Sequence, residues 1–235
     1  MFSRTAHLYD AVYSFKDYPT EAARLRELVE ERVPGARTLL DVACGTGKHL
    51  AELRAWYDVE GVDLDPALLA IARERLPDVP LHEGNMVAFD LGREFDVVTC
   101  LFSSIAYTVT EERLRAATAA LARHVAPGGL LVIEPWILPE QWKPDFVGAV
   151  FVDEPELKVA RMNAHGGGPP GDVLVMEFEY LVGTPERVER FTERHEVGMF
   201  TKEQYLGAVA GAGLGAEWED EGLFGRGLVL GARGA

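Results

Sequence analysis

The residues best suited to bind a ligand lie between Asp41 and Gly47, in the segment DVACGTG. Apolar residues on both sides of the acid are typical of a parallel strand that is buried on both faces. Gly45 and Gly47 have no Cβ, so the backbone there can turn sharply and approach a ligand closely. A helix can begin at Lys48, and its first amides would then face whatever the turn binds.

Three classes of site use such a turn, and the spacing separates them. A Walker loop requires Ser or Thr after Gly47-Lys48, where this chain has His49. The dinucleotide fingerprint requires a third glycine at the position of Leu50. The remaining pattern, acid-x-small-x-Gly-x-Gly, resembles the first motif of the class I S-adenosylmethionine (SAM) methyltransferases, although that motif usually has Gly at the position of Ala43. An ordinary strand-to-helix turn is the alternative.

A second acid favours a nucleoside-bearing ligand. Asp63 lies 22 positions beyond Asp41, at the end of the next predicted strand, 59–62. An acid at the end of the second parallel strand can hold ribose hydroxyls. Asp65 is a competitor, but it precedes Pro66 and a periodic apolar pattern, which predicts a helix N-cap. The turn and Asp63 together favour the SAM site over an ordinary turn.

The elements that must position these residues alternate between strands and helices. Strands are predicted over 39–43, 59–62, 79–82, 95–102 and 130–133, and helices over 20–32, 48–55 and 110–125. The aromatic segment from Phe2 to Tyr18 is either a short helix packed on the core or a lid over the cofactor cleft. This order predicts an α/β fold with a Rossmann-like, mostly parallel sheet of seven strands.

The pattern changes after residue 136. Short strands at 147–152, 157–162, 173–182 and 188–197 predict an antiparallel layer, with 166–171 as its most flexible connection. Thr201 and Gln204 then form a capping box, and strands over 214–218 and 227–230 close the sheet. We therefore expect one domain over 1–235, with an antiparallel insertion at 137–200 over the active site.

Composition limits the kind of protein. A length of 235 residues, 48% hydrophobic and 26% charged, predicts a globular chain, and no apolar run reaches the roughly 18 residues that span a membrane. The net charge of −15 argues against nucleic acid as a partner. Cys44 and Cys100 fall on core strands, so we expect buried thiols, a cytoplasmic location and no metal site.

Several segments resemble a narrower group, the N,N-dimethyltransferases that act on dTDP-linked amino sugars. They are Leu8-Tyr9-Asp10, Lys16-Asp17-Tyr18, Leu39 to Gly47, Phe102-Ser103-Ser104, Glu134-Pro135-Trp136, Phe200-Thr201 with Gln204-Tyr205, and Gly225-Arg226-Gly227-Leu228. The chain departs from that group in having no Tyr upstream of Leu8, in having Ile137 where a second Trp is usual, and in having Asn85 for an Asp.

The resemblance implies roles for residues of this chain. SAM would be bound by Tyr18, Asp41, Ala43, Gly45, Gly47, Asp63, Leu64, Asn85, Met86 and Leu101. Glu134, Trp136 and Arg226 would bind the substrate, Arg226 through its pyrophosphate, and Ser104 and Tyr107 are the catalytic candidates. The expected partner is a small molecule, and the chain would act as a monomer or homodimer.

The chemistry leaves three hypotheses. A neutral amine can attack a methyl sulfonium without a strong base, whereas a hydroxyl acceptor needs one within reach. His49 and His124 are predicted to be structural, so we expect Tyr107 to line the acceptor pocket without acting as an obligate base. An amino-sugar N-methyltransferase is the first hypothesis, a methyltransferase for another small amine or hydroxyl is the second, and a catalytically silent SAM-binding protein is the third.

Overall fold

The computed structural model describes residues 5–144, 146–164 and 173–235 of the chain. Phe2 and the glycine-rich connection 166–171 lie outside the described residues. The helices are α1 (Ala6–Val12), α2 (Tyr18–Arg32), α3 (Lys48–Leu53), α4 (Pro66–Arg75), α5 (Glu111–Arg123) and α6 (Lys202–Gly211). Short 3-10 segments cover Ser104–Thr108 and Pro139–Gln141.

The strands form two separate sheets. They are β1 (Thr38–Val42), β2 (Asp58–Asp63), β3 (Leu81–Glu83), β4 (Phe95–Cys100), β5 (Val125–Ile133), β6 (Val147–Glu154), β7 (Leu157–Ala164), β8 (Val173–Gly183), β9 (Val188–Gly198), β10 (Gly215–Glu219) and β11 (Leu228–Ala232). Seven of them form one sheet in the order β10-β11-β5-β4-β1-β2-β3, and β6 to β9 form the second.

The seven-stranded sheet is the predicted Rossmann-like sheet. Strands β1 to β5 pair in parallel, whereas β11 is antiparallel to both β5 and β10. Leu39, Leu40 and Val42 are fully buried in β1, which confirms the interpretation of that apolar run as a central strand. The carboxyl ends of the parallel strands meet at one edge, where ligands bind in sheets of this kind.

The four-stranded sheet, β6 to β9, is antiparallel throughout and falls within the segment 137–200. Its inner face packs against α1, because Leu8 and Val12 form one buried cluster with Val159, Tyr180 and Val182. The N-terminal aromatic segment therefore does contain a short core helix. The same helix also carries aromatic side chains to the binding cavity, as described below.

Some element boundaries differ from the predicted ones. Helix α2 begins at Tyr18 and not at the predicted residue 20, because Asp17 caps it: its Oδ1 accepts the Thr20 amide at 3.1 Å. Strand β5 begins at Val125, because Val125 already pairs with Phe95 before the Pro-Gly-Gly segment shifts the register. Strand β4 ends at Cys100, since Phe102 (φ 52°) leaves the extended conformation.

Other local predictions are confirmed. Asp65 caps α4 by accepting the Ala67 amide at 3.0 Å, and Thr201 with Gln204 forms a reciprocal capping box on α6. Cys44 and Cys100 are buried free thiols. Within the described residues, no helix combines the length and apolarity needed to cross a membrane.

Candidate active site

A cavity of about 1370 Å³ lies at the carboxyl ends of the parallel strands. Residues that follow β1, β2, β3 and β4 form one wall, among them Gly45, Asp63, Asn85 and Ser104. The four-stranded sheet forms the opposite wall. Tyr9 and Tyr13 also line it, so the aromatic N-terminal segment contributes both to the core and to the cavity.

The predicted SAM turn is held in place by Asp63. Its Oδ2 accepts the Gly45 amide at 2.8 Å and its Oδ1 accepts the Asp65 amide at 2.8 Å. Burial raises the pKa of Asp63 above its ordinary value, and these backbone donors oppose that rise. Gly45 has φ 57°, and a Cβ added there would meet nothing within 4 Å, so this part of the turn is open to a ligand.

Six of the ten predicted cofactor residues line the cavity: Ala43, Gly45, Asp63, Leu64, Asn85 and Met86. The other four, Tyr18, Asp41, Gly47 and Leu101, are not part of the wall. Asp41 is buried and accepts the Thr99 hydroxyl at 2.8 Å. A Cβ at Gly47 would come within 3.0 Å of Leu76, so this glycine permits the close packing of α4 behind the turn.

Glu134 does not reach the cavity, contrary to the expectation that it touches substrate. It is 1% exposed, and its Oε2 accepts the Phe102 amide at 2.6 Å. Phe102 and Ser103 both have positive φ, at 52° and 59°, which is costly for residues with side chains. The Glu134 carboxylate thus stabilises the turn after β4, and Ser103 adds a hydrogen bond to the Pro135 carbonyl at 2.8 Å.

Arg226 and Trp136 line the cavity together, as predicted for substrate-binding residues. The guanidinium lies 5.4 Å from the Trp136 ring centroid and 4.9 Å from that of Phe224, and its Nη1 donates to the Ser103 hydroxyl at 3.1 Å. Burial lowers the pKa of Arg226 from its ordinary value. Among the described residues no carboxylate forms an ion pair with it, although the charges of Glu134 and Glu21 oppose the effect of burial, so its charge is partly desolvated and is not neutralised by direct contact.

Tyr107 and Ser104 both line the cavity, and the structure adds a partner that sequence reasoning missed. The Tyr107 hydroxyl lies 2.8 Å from Nδ1 of His195, which is on β9. His195 Nε2 lies 3.2 Å from Glu193 on the same strand. Tyr107 thus lines the cavity as predicted, with an imidazole within hydrogen-bonding distance, and its not being an obligate base stays a prediction. The sequence signal for this partner is that Glu193 and His195 are two positions apart on a predicted strand, so both side chains lie on the same, inner face.

Lys16 is a second residue that sequence reasoning left without a role. Its ammonium contacts Glu21 at 2.7 Å and lies 4.1 Å from the Phe102 ring centroid and 4.6 Å from that of Phe224. His49 binds the same carboxylate at 2.9 Å, in agreement with its predicted structural role. Lys16 and Glu21 both line the cavity, so their ion pair lies beside the turn after β4.

Comparison with known proteins gives concordant relatives. A methyltransferase-domain family model matches residues 39–129. Over 234 residues the chain is 44% identical to the dTDP-3-amino-3,6-dideoxy-alpha-D-glucopyranose N,N-dimethyltransferase of Streptomyces fradiae, covering 98% of this chain and 91% of the relative. It is 41% identical to the dTDP-4-amino-2,3,4,6-tetradeoxy-D-glucose N,N-dimethyltransferase of Saccharopolyspora spinosa, with 97% and 92% covered. The chain belongs to the dTDP-amino-sugar N,N-dimethyltransferase family.

Solved structures of this family have the same architecture. The sugar N-methyltransferase KedS8 from a Streptoalloteichus species aligns with a TM-score of 0.89 at 41% identity, covering 97% of this chain and 93% of the other. SAM-bound CalS10, an amino pentose methyltransferase from Micromonospora echinaspora, aligns with a TM-score of 0.86 at 42% identity, with 96% of each chain covered. These matches confirm the predicted resemblance and the class I methyltransferase fold.

The residues of the described cavity fit SAM, the cofactor of this N,N-dimethyltransferase family. Gly45 leaves open space where the ligand must pass, and the Asp63 carboxylate faces the cavity at the position suited to ribose hydroxyls. Leu64 is 56% exposed although it is apolar, and it lines the cavity beside Asn85 and Met86. An exposed leucine in a cleft is a suitable surface for a flat aromatic base.

Proposed function

We propose that this chain transfers a methyl group from SAM to the amino group of a dTDP-linked amino sugar in the biosynthesis of a natural product. The observation that carries the proposal is the position of Arg226. A partly desolvated guanidinium, with no ion pair among the described residues, lines the same cavity as the SAM turn, and a fork of N–H donors matches the oxygens of a pyrophosphate.

The size of the cavity supports a two-ligand site. Pockets for one small molecule usually measure roughly 300–1,000 Å³, whereas this cavity measures about 1370 Å³. Asp63 and Gly45 lie on the side of the seven-stranded sheet, and residues such as Phe178 and His195 come from the four-stranded sheet. A cofactor on the first wall therefore leaves room for an acceptor against the second.

The charged residues around the cavity suit an anionic acceptor, although the net charge of the whole chain is strongly negative. The chain has 23 basic and 38 acidic residues. Among the described residues, the cavity wall has five basic ones, Lys16, Arg113, Lys143, Arg161 and Arg226, and four acidic ones, Asp17, Glu21, Asp63 and Asp65. The cations thus counteract locally a field that would otherwise repel the phosphates of a nucleotide.

When bound, SAM supplies an electrophilic methyl group on a sulfonium. The protein contributes position: Asp63 and the Gly45 turn hold one ligand, and Arg226 with Trp136 holds the other. Such alignment can lower a barrier by roughly 7–11 kcal/mol without any covalent chemistry by the protein. The wall also contains the rings of Tyr13, Phe102 and Phe178, which exclude water from the reacting atoms.

The test is a comparison of acceptors with SAM that has a deuterated methyl group. Mass spectrometry should show one or two labelled methyl groups on dTDP-3-amino-3,6-dideoxyglucose, and none on dTDP-glucose, which has no amine. Equal labelling of the amino sugar without its nucleotide would refute the nucleotide site. Labelling of dTDP-glucose would point to oxygen as the acceptor, and SAM binding without any transfer would indicate a catalytically silent protein.

A further inference from the structure

Tyr107, His195 and Glu193 form a hydrogen-bonded chain that runs from the cavity wall into the four-stranded sheet. The Tyr107 hydroxyl is 2.8 Å from His195 Nδ1, and His195 Nε2 is 3.2 Å from Glu193 Oε2. Glu193 Oε1 accepts the Thr5 hydroxyl at 2.7 Å, and Oε2 accepts the Tyr180 hydroxyl at 3.3 Å. All the members behind Tyr107 are buried.

The carboxylate fixes the tautomer of His195. An ionised Glu193 only accepts hydrogen bonds, so the hydrogen of a neutral imidazole is stabilised on the Nε2 that faces it. Nδ1 then carries the lone pair and accepts the Tyr107 hydroxyl. Phe178 contacts the edge of the same ring at a centroid distance of 5.4 Å and limits its rotation. The hydrogen bond between His195 Nε2 and Glu193 thus determines that the Tyr107 hydroxyl donates to His195 Nδ1.

A proton must leave the acceptor before each methyl transfer. Alkyl amines ionise with pKa values of roughly 8 to 10, so the free amine is a minor form at neutral pH. An ammonium has no lone pair and cannot attack the methyl group. The product of the first transfer is again an ammonium, so a second transfer to the same nitrogen also requires the loss of a proton.

We propose that Tyr107, His195 and Glu193 are a proton relay for the acceptor amine, an inference that rests on the proposed function. The N–H bond of the ammonium breaks as its proton passes to the Tyr107 oxygen. In the same step the Tyr107 O–H bond breaks and its proton passes to His195 Nδ1. The nitrogen keeps the electron pair, and the positive charge moves to the imidazolium, where the Glu193 carboxylate stabilises it. Tyr107 is the catalytic residue, and His195 and Glu193 are positioning residues.

The surroundings suit a relay in which Tyr107 stays a phenol. Burial raises the pKa of the Tyr107 hydroxyl well above its ordinary value, and the charges of Tyr13, Tyr180 and Glu193 act in the same direction. Arg161, on β7, opposes them. Tyr9, on α1, also interacts electrostatically with Tyr107. Among the described residues, these groups act on the relay from α1 and its end, β7, β8 and β9. His195 Nδ1, 2.8 Å from the Tyr107 hydroxyl, is the acceptor placed to receive its proton.

The decisive variant is His195→Asn. The asparagine amide can place an oxygen close to the position of Nδ1, so it can still accept the Tyr107 hydroxyl, but it cannot take up the proton. With dTDP-3-amino-3,6-dideoxyglucose, kcat near pH 7 should fall about 100-fold, the size usual for a lost acid–base group. SAM affinity measured by calorimetry should be unchanged. Near pH 9.5 solvent removes the proton from the amine, so the deficit should shrink to less than about tenfold.

Two further variants complete the design. Glu193→Gln removes the charge that stabilises the imidazolium and should lower kcat near pH 7 by about tenfold. Glu196→Gln, an exposed position on the same strand, is the matched control and should have wild-type kcat. If His195→Asn does not fold, Tyr107→Phe removes one oxygen and should show the same pH-dependent deficit.

The results separate a relay from a structural role. An equal deficit of His195→Asn at both pH values, or none, would overturn the proposal. Nitrogen-15 NMR of the enzyme without substrate gives an independent readout, in which Nε2 should carry the hydrogen and Nδ1 should not. The opposite tautomer would also overturn the relay. Because this measurement needs no acceptor, failure of the relay remains distinguishable from failure of the proposed sugar substrate.

Discussion

The substitution Arg226→Ala tests the pyrophosphate site most directly. Arg226 is held by Ser103 at 3.1 Å and by the rings of Trp136 and Phe224, and it has no ion pair within the described structure. Glu134 and Glu21 interact with the guanidinium through their charges but form no ion pair with it, so we expect the larger loss when the acceptor binds. Removing one partner of a desolvated charge pair costs about 2–5 kcal/mol, which corresponds to a decrease of at least about 30-fold in kcat/KM.

The assay is steady-state transfer to dTDP-3-amino-3,6-dideoxyglucose, together with calorimetric titration of dTDP and of SAM. We expect dTDP to bind the wild type and to bind Arg226→Ala much more weakly, with SAM affinity unchanged in both. Arg226→Lys should recover only part of the loss, because an ammonium cannot form two parallel hydrogen bonds. Arg123→Ala, an exposed arginine at the end of α5, is the control. If Arg226→Ala and Arg123→Ala are equally active, the assignment of Arg226 to a pyrophosphate site is refuted.

Three other substitutions test the SAM side of the cavity. Asp63→Asn should weaken SAM binding about tenfold or more in calorimetry, since a charge-assisted bond is worth roughly 1.5–3 kcal/mol, and Asp58→Asn at the exposed start of the same strand should have no effect. Gly45 and Gly47 both have positive φ, so alanine strains the backbone at either position. Gly47→Ala, whose Cβ also comes 3.0 Å from a Leu76 methyl, should lower the free energy of unfolding more in denaturant titrations, and Gly45→Ala should reduce SAM affinity more; the reverse pattern would contradict the two assigned roles. Burial raises the pKa of Asp41 to about 6 from 3.8, so its contribution to stability is full below pH 4 and is lost as the pH rises to 6. The free energy of unfolding of Asp41→Asn, relative to that of the wild type, should therefore increase by up to about 3 kcal/mol between pH 4 and 7. A difference between the two proteins that does not change with pH would refute this.

Local sequence patterns predicted most of the seven-stranded sheet. Strand β1 is buried on both faces and has a continuous apolar run, and Asp65-Pro66 and Thr201 begin helices through backbone hydrogen bonds that need no distant partner. The boundaries that were wrong depend on tertiary contacts. Strand β5 begins at Val125 because Phe95 is there to pair with it, and nothing in the local pattern shows this.

The same distinction applies to the site. Gly45 and Asp63 lie in a motif with fixed spacing, so they could be assigned from the sequence, and both line the cavity. Glu134 could not be placed, because its carboxylate turns inward to the Phe102 amide across 32 residues of sequence. His195 was missed because its partner Tyr107 lies 88 residues away in the sequence, ahead of the inserted sheet that carries His195.

The two sheets contribute different chemistry to one cavity, and this explains where the polar residues lie. At the edge of the seven-stranded sheet, backbone amides and Asp63 form the cofactor side. Substitutions there are restricted because the turn after β1 needs residues such as Gly45 that can adopt its backbone conformation. The four-stranded sheet supplies mainly side chains, since its strands pair with one another along β6 to β9, although Gly148 of the edge strand β6 also lines the cavity. A strand of alternating residues can change its inward-facing side chains, such as Glu193 and His195, without altering its hydrogen-bonded ladder. The acceptor side can therefore vary in chemistry while the cofactor side stays fixed. Of the proton relay, His195 and Glu193 lie on the side that can vary, whereas Tyr107 follows β4.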